Sequence, residues 1–428
     1  MPLISPPHEA PVAQTRLRVF IAGKGKNLFP MLRDSRLKLY AAGQPEPTPD
    51  LVVFPVSQLR VLDQAPRELP PSVQARLRSG KARVVLDGSG EGYEHEAKHT
   101  TALHRFVESL GASPGHAVYI TQNRGYPDAY AADCAAAGLR PMTVLTYDLW
   151  IKALFWPLER DGETIFEQRR VAFQCRGADR PRRFVSLNWT PRPTKAFFLL
   201  RLMRDQLWDD GYISFGGFER PAIGEKGGFA KLDRDMRQLW QFADLYGELS
   251  PWLKWLEDVG CLQLGGPAAD HPAFPTLLAR DEPLEAYERS WFSVITETEM
   301  GERPSRITEK SLKPLLDFHP VLIFGNPGAL GMIRRMGFET FPEIFDESYD
   351  EEPDPRRRFE MVYAQVVRLC TLPQEALARN EAAVADKLEH NARHGLTRLP
   401  ATYRKEIDRA LVDALARRPA LGASAQPG

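Results

Sequence analysis

The sequence predicts an α/β protein made of two doubly wound parallel sheets, with additional helices at the C-terminus. Three observations predict it. Short runs of β-branched and aromatic residues alternate with longer segments at helical spacing, as in successive βαβ units. The short runs are apolar throughout, as in strands covered on both faces. The alternation restarts after a polar, arginine-rich stretch at 168–181, and 428 residues are too many for one ordinary core.

In chain order, residues 1–14 read as a tail. Residues 17–22 (LRVFIA) predict a first strand, followed by the turn Gly23-Lys24-Gly25-Lys26. That turn lacks the spacing of a phosphate loop and reads as a strand-to-helix connection. Further strands are predicted at 51–56 (LVVFPV), 82–86 (ARVVL), 117–121 (AVYIT) and 142–146 (MTVLT), with a helix over 100–110. The second series opens at 184–187 (FVSL). The spacing predicts a helix over 193–208, with Ala196, Leu200, Met203 and Leu207 on one face. Residues 212–215 predict a strand. Residues 230–258 carry Trp240, Phe242, Tyr246, Trp252 and Trp255, an aromatic stripe that reads as core, and 265–279 is a Gly/Pro loop.

The densest part is 291–350. A strand at 293–296 stops at Glu297, Thr308-Glu309-Lys310 leads into a helix, and 321–324 is a buried-type strand. Gly325-Asn326-Pro327-Gly328 then turns into another helix. Amphipathic helices follow at 355–370, 374–394 and 401–417. The expected division is a tail at 1–14, one domain over 15–180, a second over 181–395, and a helix with a frayed end over 396–428.

Composition narrows the function. Lys plus Arg and Asp plus Glu each number 56, giving a formal net charge of zero. A nucleic-acid partner normally demands a basic excess, so none is expected. Cys134, Cys175, Cys261 and Cys370 lie far apart without a CxxC pair, which predicts neither zinc nor a disulfide framework and suits a reducing cytoplasm. The start MPLISPPHEAPVAQ lacks the basic and apolar regions of a signal peptide. The longest apolar stretch, 144–158, contains Asp148 and Lys152 and is too short to span a bilayer. Membrane contact would therefore be peripheral. His95 and His99 lie one helical turn apart with no third ligand in view, so no metal site is expected.

In open α/β sheets ligands collect beyond the carboxyl ends of the strands, so polar residues there are the candidates. Pro314 fits best in a first helical turn, which puts Glu309 and Lys310 at a helix entrance. Pro193 does the same for Arg192, where a guanidinium can grip phosphate oxygens in a fork. Asn188 and Lys195 lie beside it, and Lys313 is a further cation. Gly325 and Asn326 form a turn that permits close backbone approach to a phosphate or base. Glu297 is placed to meet sugar hydroxyls. Arg356-Arg357-Arg358 reads as a solvated helix start, and Asp346-Glu347-Ser348-Tyr349-Asp350 as structural.

The run ITEKSLKPLLDFHPVLIFGNPGALGMIRRMGFETF, followed by FDESYDEEPDPRRRFE, resembles the C-terminal half of bacterial and viral glycosyltransferases. These are distantly similar to the α-1,3-fucosyltransferases, whose signature places Thr/Ser-Glu-Lys at a helix start. RRFVSLNWTPRPTKAFFLLRLM resembles the opening of the same domain, and VVLDGSGEGYEHE and VYITQN resemble parts of its N-terminal partner. The likeness is dense over 181–370. It implies the GT-B plan, two Rossmann-like halves facing a cleft, and a GDP- or UDP-linked sugar donor. It further implies a saccharide or surface-glycan acceptor, as in polysaccharide biosynthesis, and inversion without a cofactor.

The resemblance implies that Lys310 contacts pyrophosphate and that Glu309 holds the ribose or the sugar. A transferase without a metal stabilises its leaving diphosphate with cations and helix N-termini. Neither Asp87-Gly-Ser nor Trp208-Asp209-Asp210 forms the Asp-x-Asp of a metal-dependent GT-A enzyme. An inverting transfer needs a carboxylate to take the acceptor's proton. Asp87, Glu91 and Glu94, on the acidic run after strand 82–86, are the candidates. A nucleotide-sugar epimerase or hydrolase, or a non-catalytic scaffold that binds nucleotide or glycan, would fit the same pattern.

Overall fold

The computed structural model describes residues 16–22, 28–32, 34–41, 48–56, 62, 69–92, 94–188, 190–218, 228–262, 264, 284–303 and 306–417. The chain divides into two units, 1–153 with 401–428, and 154–400. Both are doubly wound parallel α/β structures, and C-terminal helices complete them, as the sequence predicts.

The first unit contains β1 (Leu17–Ile21), β2 (Leu37–Ala41), β3 (Leu51–Pro55), α1 (Pro71–Arg78) and β4 (Arg83–Gly88). It continues through α2 (Ala97–Ser109), β5 (Val118–Thr121), α3 (Tyr126–Ala136), β6 (Thr143–Thr146) and the start of α4 (Leu149–Phe155). All six strands are parallel, in the order β2-β1-β3-β4-β5-β6. Val52, Phe54, Val84 and Leu86 of the central strands pack with Leu103, Phe106 and Val107 of α2. β2 is the strand missing from the sequence reading. It is an edge strand with Lys38 exposed and Leu39 37% exposed, so it lacks the continuous apolar run that marks its neighbours. The last helix, α17 (Asp408–Ala416), belongs to this unit. Buried Lys152 Nζ donates to Asp408 at 2.7 Å and the Tyr147 hydroxyl donates to the same carboxylate at 2.6 Å.

The second unit begins with α5 (Leu158–Gln174), β7 (Phe184–Asn188), α6 (Pro193–Arg204), β8 (Gly211–Phe215), α7 (Gly228–Gln238), α8 (Ala243–Leu249) and α9 (Leu253–Val259). After α10 (Leu284–Glu288) come β9 (Phe292–Thr296), α11 (Glu309–Leu316), β10 (Val321–Phe324), α12 (Ala329–Arg335) and α13 (Pro355–Cys370). α14 (Gln374–Ala383), α15 (Ala385–Arg393) and the short α16 (Leu399–Thr402) close it. Its parallel strands run in the order β10-β9-β7-β8. α6 is buried nearly all round, and Phe198 meets Phe324 at 4.9 Å between ring centroids. The aromatic stripe is core only in part. Phe242 is buried against Phe197, whereas Trp240 is 74% exposed on a 3-10 turn and Trp252 is exposed too, so the expectation fails for both tryptophans.

The four strands of the second unit and the first four of the first unit share one order, in which the third strand pairs with the first and not with the second. The direction of winding therefore reverses between β1 and β3 in one unit and between β7 and β9 in the other. Loops leaving two such strands diverge and open a crevice at the carboxyl edge, the usual ligand position in doubly wound folds. In the first unit the segments that follow β1 and β3, 23–27 with the Gly23–Lys26 turn and 57–61, lie outside the described residues. In the second, the residues of the loops after β7 and β9 are described except Trp189, Pro304 and Ser305.

Candidate functional site

β7 ends at Asn188 and β9 at Thr296, next to Glu297, so the reversal point is defined by buried polar residues. Asn188 accepts a hydrogen bond from the Thr296 hydroxyl through Oδ1, and Nδ2 donates to Ser186 Oγ at 2.9 Å. Its backbone N–H donates to Ser214 Oγ at 3.2 Å. With no exposed surface, this amide fastens the ends of β7, β8 and β9 together. Its side-chain and backbone polar groups are thus engaged within the sheet.

Glu297 is likewise engaged internally. It is 3% exposed, and its carboxylate accepts from Thr308 N–H at 2.9 Å, Thr308 Oγ1 at 2.7 Å and Ser311 Oγ at 2.7 Å. The carboxylate clamps the entrance of α11, where a negative charge is favoured by the helix dipole. Thr308, the N-cap, also receives Lys310 Nζ at 3.0 Å. Lys310 lies 3.4 Å from Glu309 Oε1 and keeps part of its side chain exposed. Burial pushes the Glu309 carboxyl up, but Lys310 and Lys313 more than offset it and hold it below the usual carboxylate range. Glu309 therefore stays ionised, bound to the cations of its own helix.

The entrance of α6 is the opposite case. Arg192 is its N-cap, Pro193 its first residue, and no side chain caps it. The first backbone N–H groups of a helix have no partner inside it. Thr194 Oγ, on a side chain 7% exposed, has no hydrogen-bond partner among the described residues. Lys195 is 2% exposed and forms neither a hydrogen bond nor an ion pair within the described residues. Burial, then the neighbouring Lys310 charge, pull its ammonium down to about 7, against the attraction of Glu297; Arg192 pushes the same way and Glu309 opposes it. The sequence-predicted residues Arg192, Lys195, Glu297, Glu309 and Lys310 are thus brought together from α6, α11 and the end of β9. Thr194 was missed; as the second residue of a helix opened by Pro193, its position could have suggested it. A hollow lined by Arg192, Gly217, Phe218, Lys231 and Asp235 opens beside the α6 entrance.

Gly325 and Asn326 turn out to be packed. A Cβ on Gly325 would lie 3.2 Å from Ile323 Cγ2 and 3.4 Å from Glu297 Cγ. Asn326, 2% exposed, accepts from Gly301 N–H at 2.7 Å through Oδ1. Both contacts are internal and order the loops beside Glu297. Arg358 completes them: its Nε donates to Gly325 O at 2.8 Å and its terminal nitrogens donate to Glu352 O and Gly301 O. It is 1% exposed, and burial lowers its guanidinium to about 10. The expectation of a solvated Arg356-Arg357-Arg358 therefore fails at Arg358. The signal was present, because 355, 358, 359, 362, 363 and 366 form the buried stripe of α13. Asp350 accepts from Leu330 and Gly331 N–H at 3.0 and 3.2 Å, capping α12, the structural role the sequence assigned to its motif.

In the first unit, Asp87 is 2% exposed and accepts from Leu28 N–H at 2.8 Å, Ser89 N–H at 3.1 Å and Ser89 Oγ at 2.6 Å. Burial raises its pKa. A carboxyl so enclosed ties the ends of two loops. Glu91 is half-buried and Glu94 exposed on the loop after β4. His99 accepts from Glu96 N–H at 3.2 Å in a capping arrangement, and His95 approaches Asp133 at 3.6 Å. Among the described residues no group of three or more His, Cys, Asp or Glu is placed to hold a metal. No described helix is long and apolar enough to cross a membrane.

Fold and site together define a protein of two doubly wound parallel α/β units, the second with a cationic cluster at its reversal point. No family model matches the chain, and no curated protein does. Among solved structures it is similar to α,α-trehalose 6-phosphate synthase from Burkholderia multivorans, at 10% identity and a TM-score of 0.39, over 86% of this chain and 71% of that one.

Proposed function

We propose that the second unit binds the diphosphate of a GDP- or UDP-linked sugar and that the protein is a glycosyltransferase. The acceptor is a saccharide or surface glycan, and transfer proceeds with inversion and without a metal, as the motif resemblance implies. One observation supports this above the others. Lys195 is buried beside Lys310 and Arg192 without a carboxylate to pair with, at a helix entrance without a cap. Burying an unpaired cation is costly, and three clustered cations with free helix N–H groups form a receptor for a multiply charged anion. The hollow beside Arg192, with Phe218 on its wall, is assigned to the nucleoside.

In the reaction the anomeric C–O bond to the diphosphate breaks while an acceptor oxygen bonds to that carbon from the opposite face. Arg192, Lys195 and Lys310 receive the charge that builds on the departing diphosphate. Asp87, Glu91 or Glu94 takes the acceptor proton, and the more accessible positions of Glu91 and Glu94 favour these two over the buried Asp87. The test is thermal stabilisation by GDP and UDP without divalent cations, since a ligand of the native state raises its stability. Stabilisation in the wild type that disappears in Lys310→Ala is the expected result. Equal shifts in both proteins refute the assignment. Release of free sugar from the donor with no acceptor present would point to a hydrolase.

A further inference from the structure

We propose that a diphosphate enters this site together with a proton, which comes to rest on Lys195 Nζ. The inference depends on the diphosphate reading above and adds a proton to it. The groups facing Lys195 come from three elements: Arg192 from the start of α6, Glu309 and Lys310 from α11, and Glu297 from the end of β9. Neither carboxylate is free to neutralise it. Glu297 already accepts three hydrogen bonds from Thr308 and Ser311, and Glu309 lies against Lys310. Lys195 therefore sits in a dry position with positive neighbours and no counter-charge of its own. That environment lowers the affinity of the amine for a proton, and its pKa of about 7 reflects it. A bound diphosphate supplies the missing negative charge and restores the affinity for the proton.

Linkage makes the effect reciprocal: if the anion favours the protonated lysine, the protonated lysine favours the anion. Above neutrality the empty site carries a largely neutral amine, and each bound ligand must draw one proton from solution. Affinity then falls by up to about tenfold per pH unit until the pKa of the liganded state is reached. An arginine at this position stays charged throughout and removes the linkage.

The experiment is calorimetric titration of the wild type and Lys195→Arg with UDP and GDP at about pH 8.5, in two buffers of different ionisation enthalpy. The terminal phosphate, with a second pKa of about 6, is fully ionised there, so any proton taken up goes to the protein. Expected are uptake approaching one proton per ligand in the wild type, almost none in Lys195→Arg, and an affinity of the variant that stays level between about pH 7 and pH 9. Binding to the wild type without proton uptake overturns the inference and leaves the diphosphate reading intact. Equal uptake in wild type and variant does the same. Absence of UDP and GDP binding to the wild type at every pH removes both. Should Lys195→Arg fail to fold, Lys195→Met takes its place and must likewise bind without uptake.

Discussion

Thr308 presents both its backbone N–H and its hydroxyl to the two carboxylate oxygens of Glu297, at 2.9 and 2.7 Å. This pair joins the end of β9 to the start of α11 and so fixes the ground on which Lys310 stands. In Glu297→Gln the amide NH2 would face donors in a buried position. Leaving such groups unsatisfied costs about 1–3 kcal/mol. Urea denaturation should show that loss, and calorimetry should show weaker UDP or GDP binding.

Removing one of the cations proposed to face the diphosphate should act on binding with little effect on folding. Hydrogen bonds to charged groups contribute roughly 1.5–3 kcal/mol, which corresponds to about ten- to a hundredfold in affinity. Arg192→Ala and Lys310→Ala are each expected to weaken nucleoside diphosphate binding by that factor at low salt. Unchanged dissociation constants in both would remove the α6 and α11 entrances from the site.

Lys195 should show a conflict between stability and function. Its folded-state pKa lies below the unfolded value, so its contribution is most favourable above the unfolded pKa, about 10.4, and is lost as pH falls through about 7. In the ligand-free protein Lys195→Met is therefore expected to be more stable than wild type near neutral pH, by on the order of 1–4 kcal/mol, the range seen when buried charges give way to apolar groups. The gap should narrow as pH rises towards 10. The same variant should bind UDP or GDP more weakly. Chemical denaturation across pH, with matched binding data, checks both halves.

Arg358 is a buried structural cation where the sequence reads a solvated helix start. Its guanidinium serves the carbonyls of Gly325, Gly301 and Glu352. Arg358→Met leaves one buried and two partly buried carbonyls to find new donors, and a loss of about 1–3 kcal/mol is expected, the cost of an unsatisfied buried group. Thermal unfolding measures it directly. A change within about 0.5 kcal/mol, typical of surface positions, would contradict these three contacts.

The candidate bases separate by the same logic. Asp87→Ala should destabilise the first unit, because Leu28 N–H, Ser89 N–H and Ser89 Oγ lose their acceptor. Glu94→Gln should leave stability within about 0.5 kcal/mol. If Glu91 or Glu94 takes the acceptor proton, its Gln variant loses about 10²–10⁴ in kcat with donor binding intact. Full activity in both variants would place the base elsewhere.

The central strands of each sheet were legible in the sequence because a strand covered on both faces must be apolar along its whole length. Arg192 was placed at a helix entrance because Pro193 is best tolerated in a first helical turn. Lys310 also lies at an entrance, but Pro314 sits inside α11, which begins at Glu309, so the expectation that Pro314 belongs to the first turn fails. What the sequence left open was which polar groups are already committed. Asn188 and Thr296 are separated by 108 positions, yet they share a hydrogen bond because β9 pairs with β7 and not with β8. That strand order brings Glu297 onto Thr308 and sets Lys195 beside Lys310. Local pattern determines which segments are strands and helices, since burial and periodicity are properties of neighbours in sequence. Which carboxylate meets which cation depends on how the sheet is ordered. Tertiary structure alone therefore decided that Glu297 is a clamp and Lys195 is left without a counter-ion.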